Sequence, residues 1–254
     1  MAGSKKNIPL VIARRELSAY FASPMAYIVI GLFLIFSGLL SFLTFFFSKR
    51  AELRMFFETL PLLFSFVIPA LTMRMLSEEK RSGTIETLVT LPVTSLQVIT
   101  GKYIALLVSS AIMLVPTLFY VITCAVFGTP DFGPIIGGYI GSLFLAAAFC
   151  AIGLFCSSIT QNQIIAFFIA FSICILLTVL GGITVYIPGA VIAIDFTPLL
   201  PGSLVQFVTF ISASSHFESI SRGIIDTRDV IYFVSVAAIF LALTVRVVKN
   251  AKRG

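Results

Sequence analysis

Residues 78–102 bring charged, glycine, proline and threonine side chains together in a short segment between two long apolar runs. The segment is EEKRSGTIETLVTLPVTSLQVITGK. Charged groups of this kind suit ion pairing with an oppositely charged partner surface. The segment is too polar to cross a bilayer and too short to fold as a domain. We therefore expect a docking element that a soluble protein holds from one side.

The order of these residues favours docking over a plain solvated loop. Gly83 is expected to open a short helix over 84–90, which Pro92 then ends by restricting the residue before it. Thr94 and Gln97 have the spacing of a capping box, which begins a new helix at a defined residue. Loops that only connect spans are commonly about 2–8 residues long and need no helix. The alternative is a solvated loop whose charges serve solubility.

Residues that would support an enzyme are scarce. The single histidine, His216, shares a predicted short helix with Glu218 and Arg222, where loop packing or a salt bridge is favoured. No G-x-S-x-G pattern indicates a serine hydrolase. The Gly101-Lys102 pair lacks the upstream glycine of a phosphate loop and is followed by tyrosine. We expect a protein that is not an enzyme, with no catalytic, cofactor-binding or metal-binding residues.

The cysteines have the environment of packing residues. All four fall inside predicted spans, and no two of them form a C-x-x-C pair. Buried cysteine behaves as a small apolar side chain. We expect this role for Cys124, Cys150, Cys156 and Cys174.

The remainder of the chain must position the polar segment from within a membrane. Apolar residues make up 59% of the 254 residues and charged residues 11%, whereas soluble domains use about 25% charged residues. A helix of about 20 apolar residues crosses the hydrocarbon core, and runs that are apolar on every side indicate helices rather than barrel strands. Pro116 in the third span and Pro61 and Pro69 in the second are expected to kink them. The six candidate spans are 25–47, 56–76, 97–127, 135–158, 162–187 and 229–248.

Lysine and arginine set the expected orientation, because cytoplasmic loops carry an excess of both. With six spans and both termini in the cytoplasm, 12 of the 17 lysines and arginines fall inside and 5 outside. The net charge of +6 therefore reflects topology, and nothing in it indicates nucleic acid. We expect a multi-pass protein of the bacterial inner membrane, in contact with lipid, with cytoplasmic N- and C-termini.

Two segments lie outside the spans. Residues 5–23 are expected to form an interfacial helix on the cytoplasmic face, with a solvated tail as the alternative. Its apolar side would carry Leu10, Ala13, Leu17, Tyr20 and Phe21. Residues 188–228 contain an apolar part too short to cross, which favours a re-entrant or interfacial hairpin packed against other helices. No linker interrupts the chain, so 1–254 is expected to be a single domain.

The polar segment resembles the signature of ABC-2 type transporter permeases. There, an acidic and basic hinge leads into Gly-Thr-x-Glu, a leucine-rich turn, a proline and a Gly-Lys pair. The matching residues are Glu78, Glu79, Lys80, Arg81, Gly83, Thr84, Glu86, Leu88, Pro92, Gly101 and Lys102. RRELSAYFASPMAYI at 14–28 and HFESISRGIIDTRDVIYF at 216–233 extend the match. Together they are most similar to the gliding-motility (GldF-type) branch, across nearly the whole chain.

The resemblance implies an all-α half-transporter of six transmembrane helices. Residues 5–23 would be its connecting helix, 78–95 its cytoplasmic coupling segment, and 188–228 its extracellular helices. Two permease chains, identical or different, would sit over two ATPase subunits. ATP and magnesium would be bound by those subunits, since this chain has no phosphate loop. An accessory subunit with a periplasmic domain would be a further partner.

The implied mechanism is rigid-body rocking, in which ATP draws the ATPases together and their grooves move the coupling helices. The residues expected at this joint are Glu78, Glu79, Lys80, Arg81, Gly83, Thr84, Glu86 and Leu88. The second and fifth spans would line the pathway. Its candidate residues, for which helix packing is the alternative, are Thr59, Ser65, Thr72, Asn162, Gln163 and Thr178.

Export of a solute is the function that this resemblance implies. An apolar lining would suit an amphipathic substrate, and the sequence does not identify one. An ion-coupled carrier is not indicated, because the centres of the predicted spans lack charged residues. The alternative is an envelope or motility anchor that transmits conformational change without moving a solute, since both functions would use the same coupling helix.

Overall fold

The computed structural model describes residues 8–48, 53–83, 94–128, 131–180, 182–187, 190–194, 202–224 and 226–251. Within these residues the chain is helical apart from one two-stranded hairpin. In lipid, backbone groups must bond within their own segment, which is why long apolar runs become helices. The helices are α1 (Ile8–Ala22), α2 (Pro24–Ser48), α3 (Arg54–Thr72), α4 (Arg74–Arg81), α5 (Ser95–Leu114), α6 (Leu118–Phe127), α7 (Phe132–Ile159), α8 (Gln163–Val179), α9 (Gly202–Ile211), α10 (Ala213–Ser221) and α11 (Thr227–Ala251).

Five helical stretches among the described residues are long and apolar enough to cross a bilayer. They are Pro24–Phe42, Arg54–Arg81, Ser95–Phe127, Phe132–Ile159 and Thr227–Asn250. The sixth candidate, α8, is apolar but has only 17 residues, the lower end of the crossing range. The helical, multi-pass fold predicted from the sequence is confirmed.

The end predicted for the fifth span is wrong. The fifth span does not continue to residue 187, because α8 ends at Val179 and Gly182 turns the chain with a φ of 86°. The helix of the second span continues past its predicted end at residue 76, through α4 to Arg81. Hydropathy falls along α4 while the backbone stays helical, so an apolar run alone misses its end.

A β-hairpin follows α8 and was not predicted. Strand β1 (Ile183–Ile187) pairs with β2 (Ala190–Ile194) in an antiparallel register that places Ile183 opposite Ile194. The β-branched residues of ITVYI and AVIAI favour strands. Their hydropathy had merged this segment with the preceding span. Among the described residues, the hairpin is the exception to the all-α prediction.

Helix α7 is the scaffold on which the other elements pack. It contacts α3, α5, α8, α10 and α11, and its buried face is rich in glycine, alanine, serine and cysteine. At Gly138 a methyl group would lie 2.6 Å from the Phe57 ring. Small side chains let helices approach closely where no hydrophobic effect drives them together. The four cysteines are buried and free, as the packing prediction requires.

Prolines mark irregular points in the helices. Pro116, the residue predicted to kink the long third span, lies in a 3-10 turn, Val115–Thr117, that joins α5 to α6. Pro61 and Pro69 both lie inside α3, which continues past them to Thr72.

The segments predicted outside the spans are also helical. Helix α1 packs on α5, and on its predicted apolar side Ala13 is buried whereas Leu10 is 67% exposed. Its position on a membrane surface stays a prediction. Within 188–228, α10 packs against α3, α7, α8 and α11. The apolar part predicted to form the hairpin corresponds to α9, which contacts α10, and its re-entrant placement stays a prediction.

Candidate functional site at the α3–α4 hinge

The second span breaks at Met73, between α3 and α4. In an unbroken helix the amides of Leu76 and Ser77 would donate to carbonyls four residues earlier. Here both donate instead to the hydroxyl of Ser157 on α7, each at 3.0 Å, and that hydroxyl donates to the Met73 carbonyl at 3.0 Å. A side chain inserted into the hydrogen-bond ladder is a known cause of helix kinks. The hinge is therefore fastened to the central helix.

Gly153, one turn before Ser157, makes room for this hinge. A methyl group there would collide with the Thr72 hydroxyl, which donates to the Pro69 carbonyl at 3.2 Å. Gly153 and Ser157 together form a notch of small residues on α7 that holds the end of α3.

A buried charge cluster lies beside the hinge and joins three helices. The Lys102 ammonium on α5 lies 2.7 Å from Glu79 Oε1 on α4 and 3.3 Å from Glu16 Oε1 on α1. It also donates to the Met75 carbonyl at 3.0 Å. The Lys102 side chain is 1% exposed, and these three acceptors match its three N–H donors. We call Glu16, Glu79 and Lys102 the charge cluster.

Gly101 brings α1 close enough to form the charge cluster. A methyl group at Gly101 would lie 2.7 Å from the Pro9 carbonyl oxygen and 2.8 Å from Ile12 Cβ. The neighbouring residues of the Gly-Lys pair thus have separate tasks. Glycine permits close contact of α1 with α5, and lysine supplies the cation for Glu16 and Glu79.

A second ion pair borders the charge cluster on the solvent side. Arg74 pairs with Glu78 one turn along α4 at 2.9 Å, and its guanidinium also donates to the Ser23 hydroxyl at 3.1 Å. A cavity of about 160 Å³ between α1 and α4 is lined by these three residues and by Tyr20. Burial raises the pKa of Tyr20 to about 12, so its hydroxyl stays protonated at neutral pH.

The polar segment predicted to dock is described only up to Gly83 and again from Thr94. Gly83 has a φ of 70° and ends α4, with its amide bonded to the Lys80 carbonyl. Glycine in this conformation is a common helix terminator. Its expected role at the start of the next helix stays a prediction. The predicted helix at 84–90, with Thr84, Glu86 and Leu88, lies outside the described residues. The capping box of Thr94 and Gln97 is confirmed at the start of α5.

The charged residues at 78–81, which the sequence predicts at the joint with the ATPase, form the last part of α4. Glu79 belongs to the charge cluster and Glu78 pairs with Arg74. Lys80 is half-buried, and Arg81 is exposed at the helix end. Sequence reasoning thus assigned to docking one residue, Glu79, that the fold uses internally.

The structure divides the candidate pathway residues between packing and capping. Ser65 on α3 and Thr178 on α8 are buried, and their hydroxyls lie 2.7 Å apart. This contact joins the second and fifth spans within the chain, and their lining of a pathway stays a prediction. Thr59 and Thr72 are buried and donate to carbonyls of their own helix.

Asn162 and Gln163 lie at the beginning of α8. The Asn162 side chain is exposed and accepts from the Ile164 amide at 2.9 Å, so it caps the helix. Gln163 is the first helical residue and is half-buried.

A second polar cluster ties α9, α10 and α11 together. His216 Nδ1 lies 2.6 Å from Asp229 Oδ1, and Nε2 lies 3.0 Å from the Phe210 carbonyl. The imidazole stacks on Tyr232 at 4.2 Å between ring centroids. Glu218 pairs with Arg222 rather than with the histidine. The predicted short helix with packing and salt-bridge roles is confirmed, with Asp229 as the partner of His216.

Sequence reasoning missed Ser157, Ser23 and the pairing of Glu16. The small residues Gly153 and Ser157 are spaced four apart on α7, a pattern that marks close helix contacts in membranes. That spacing could have indicated the notch. Nothing local indicates that Glu16 and Lys102, far apart in the chain, share a site.

Comparison with known protein families identifies the family to which this helical architecture belongs. The family described as ABC-2 family transporter protein matches residues 10–252, from within α1 to the end of α11. No curated protein gives a match. Because the family match covers nearly the whole chain and all the helices that build the hinge, the chain belongs to the ABC-2 family of transporter proteins, as a multi-pass membrane component.

Proposed function

We propose that this chain is the permease subunit of an ATP-driven exporter and that its polar segment at 78–95 docks a separate ATPase subunit. The family match supports a transport role. The observation that carries the docking proposal is the 2.7 Å pair between Glu79 and Lys102. Glu79 precedes residues 84–93 and Lys102 follows them, so the pair holds together α4 and α5, the two helices that those residues connect. A segment that transmits force from a partner to the spans needs helices that are held together at its two ends, whereas a solvated loop does not. We call the paired ends of α4 and α5 the base of the segment.

The residues at this joint divide into a base and a contact surface. Glu79 belongs to the base. Glu78 and Arg81 are exposed at the end of α4, where a partner can reach them. Thr84, Glu86 and Leu88 complete the contact surface in this proposal, Gly83 directs the chain towards it, and Lys80 lies at its edge.

The complex proposed has two permease chains over two ATPase subunits, which bind ATP and magnesium. Both termini and the docking segment lie in the cytoplasm, at the inner membrane of a bacterium. With this orientation, 12 lysines and arginines lie on the cytoplasmic side and 5 on the outer side, which agrees with the usual cytoplasmic excess of both. Similarity to the gliding-motility branch favours an accessory subunit with a periplasmic domain.

A second candidate function is an anchor that transmits conformational change without moving a solute. The close Ser65–Thr178 contact favours it, since these pathway candidates are used for packing within the chain. For export, an amphipathic substrate suits the apolar helices. ATP-dependent movement of a fluorescent phospholipid analogue in reconstituted vesicles would support export over anchoring.

Co-expression with the cognate ATPase tests the proposed function. The purified permease chain alone is expected to hydrolyse no ATP. The co-expressed ATPase is expected to remain bound through affinity purification and size exclusion, in a complex with two permease chains that hydrolyses ATP. A permease chain that hydrolyses ATP unaided, or one that never retains the ATPase, would contradict the proposal.

A further inference from the structure

The ammonium of Lys102 is placed where it can act only within the chain. Its side chain is 1% exposed, and from α5 it contacts groups on α1 and α4. A docked subunit cannot touch so deeply buried a group. Whatever Lys102 contributes to coupling must therefore pass through the helices that it joins.

The charge cluster defines the relative position of those helices. A buried cation costs free energy unless it is paired and hydrogen-bonded, and such pairs are weak evidence for stability but can fix register. Glu16 and Glu79 are 16% and 19% exposed, at the edge of the interior. Sliding α1 or α4 by one turn would separate a carboxylate from the buried ammonium.

Two further contacts hold α1 to the same unit. Gly101 places the backbone of α5 against Pro9 and Ile12, and the Arg74 guanidinium donates to Ser23 just beyond the end of α1. Helix α1 is thus attached near both of its ends. In the sequence, residues 84–93 connect α4 to α5, so a force on them enters α4 about one turn from Glu79 and α5 about two turns before Lys102.

We propose that Lys102 is a positioning residue that makes α1, α4 and α5 move as one lever when the docked ATPase closes. The inference rests on the proposed function and adds a specific role for a residue that never touches the partner. In this mechanism the lever includes α1, which precedes the spans, and the charge cluster transmits motion to it.

The test measures motion of α1 in the assembled complex. Nitroxide labels are attached at Ser18→Cys, on the exposed side of α1, and at Asn250→Cys, at the end of α11. Double electron–electron resonance then measures the distance between the two labels. The native cysteines are buried, which limits their labelling. Trapping the ATPase with ATP and vanadate is expected to shift this distance by about 1–5 Å, the range of helix movements at coupled interfaces.

Lys102→Met removes the charge while keeping an unbranched apolar side chain. The ATPase is expected to co-purify and trap as before, because the residues of the proposed contact surface are unchanged, while the distance shift is lost. Lys249→Met, an exposed lysine near the end of α11, is the matched control and should keep the shift. The charge swap Glu79→Lys with Lys102→Glu retains one cation and two carboxylates, and it is expected to restore part of the shift.

The outcomes separate the two proposals. If the unaltered chain never binds the ATPase, the proposed function fails. If the unaltered complex shifts and Lys102→Met shifts equally, the lever is wrong. Loss of ATPase binding in Lys102→Met would also overturn it, because Lys102 would then act in docking. If Lys102→Met fails to fold, the charge-swap variant is the test. A folded swap variant whose ATPase is trapped with vanadate but whose label distance does not shift would contradict the lever.

Discussion

The Ser157 hydroxyl replaces two backbone carbonyls as the acceptor for Leu76 and Ser77. We expect Ser157→Ala to destabilise the protein by about 1–3 kcal/mol, the usual cost of leaving buried donors without an acceptor. Ser158→Ala is the matched control, because Ser158 is also buried but donates only to the Phe155 carbonyl of its own helix. Thermal unfolding in detergent should show a clearly lower midpoint for Ser157→Ala. Equal midpoints would contradict the role of Ser157 in the hinge.

How much a residue's role can be predicted depends on how local its partners are. The Thr94 and Gln97 capping box was predictable, because both partners lie within one turn. Glu79 was assigned to docking, because only the folded chain brings Lys102 to it across 23 positions. Glu86 received the same assignment by resemblance and keeps it as a prediction.

At the scale of elements, the contact of α1 with α5 depends on a glycine. Gly101→Ala adds a methyl group 2.7 Å from the Pro9 carbonyl oxygen, so α1 must move away or the α5 backbone must shift. We expect faster amide hydrogen exchange throughout α1 in this variant. Gly31→Ala in α2 is the control, since nothing lies within 4 Å of its added methyl group and alanine favours helix by about 1 kcal/mol. Unchanged exchange in Gly101→Ala would show that α1 does not depend on this contact.

Elements were predictable where hydropathy and secondary structure change together. The starts of α2, α5, α7 and α11 fall within three residues of the predicted spans. The β-hairpin was missed because Ile183 and Val185 continue the apolar run after α8. Hydropathy measures burial or lipid contact and does not distinguish a strand from a helix in short apolar runs. The α3–α4 break was missed because its cause, Ser157, lies on another helix.

At the scale of the whole molecule, composition predicted the membrane fold, and three short motifs predicted the family. Neither the composition nor the motifs predicted the contacts around α4. The charge cluster, the Gly153 and Ser157 notch and the Arg74–Glu78 pair all hold α4 or its junction with α3, just before residues 84–93. Their concentration there supports the proposed docking role of the segment over that of a plain connecting loop.

The proposed docking of residues 78–95 to the ATPase is tested most directly by reversing one charge within them. A glutamate in a partner's groove is desolvated and paired, and reversing its sign places a like charge against the same group, which costs several kcal/mol. On a free surface the same change costs within about 0.5 kcal/mol. We therefore compare Glu86→Lys in the docking segment with Glu52→Lys, which lies between the first two predicted spans.

The measurement is the amount of ATPase that co-purifies with each variant, normalised to permease in the membrane. Glu86→Lys is expected to insert normally and to lose most of the bound ATPase and its coupled hydrolysis, whereas Glu52→Lys retains both. Full complex formation and ATP-coupled activity in Glu86→Lys would contradict the claim that Glu86 contacts the ATPase through this segment.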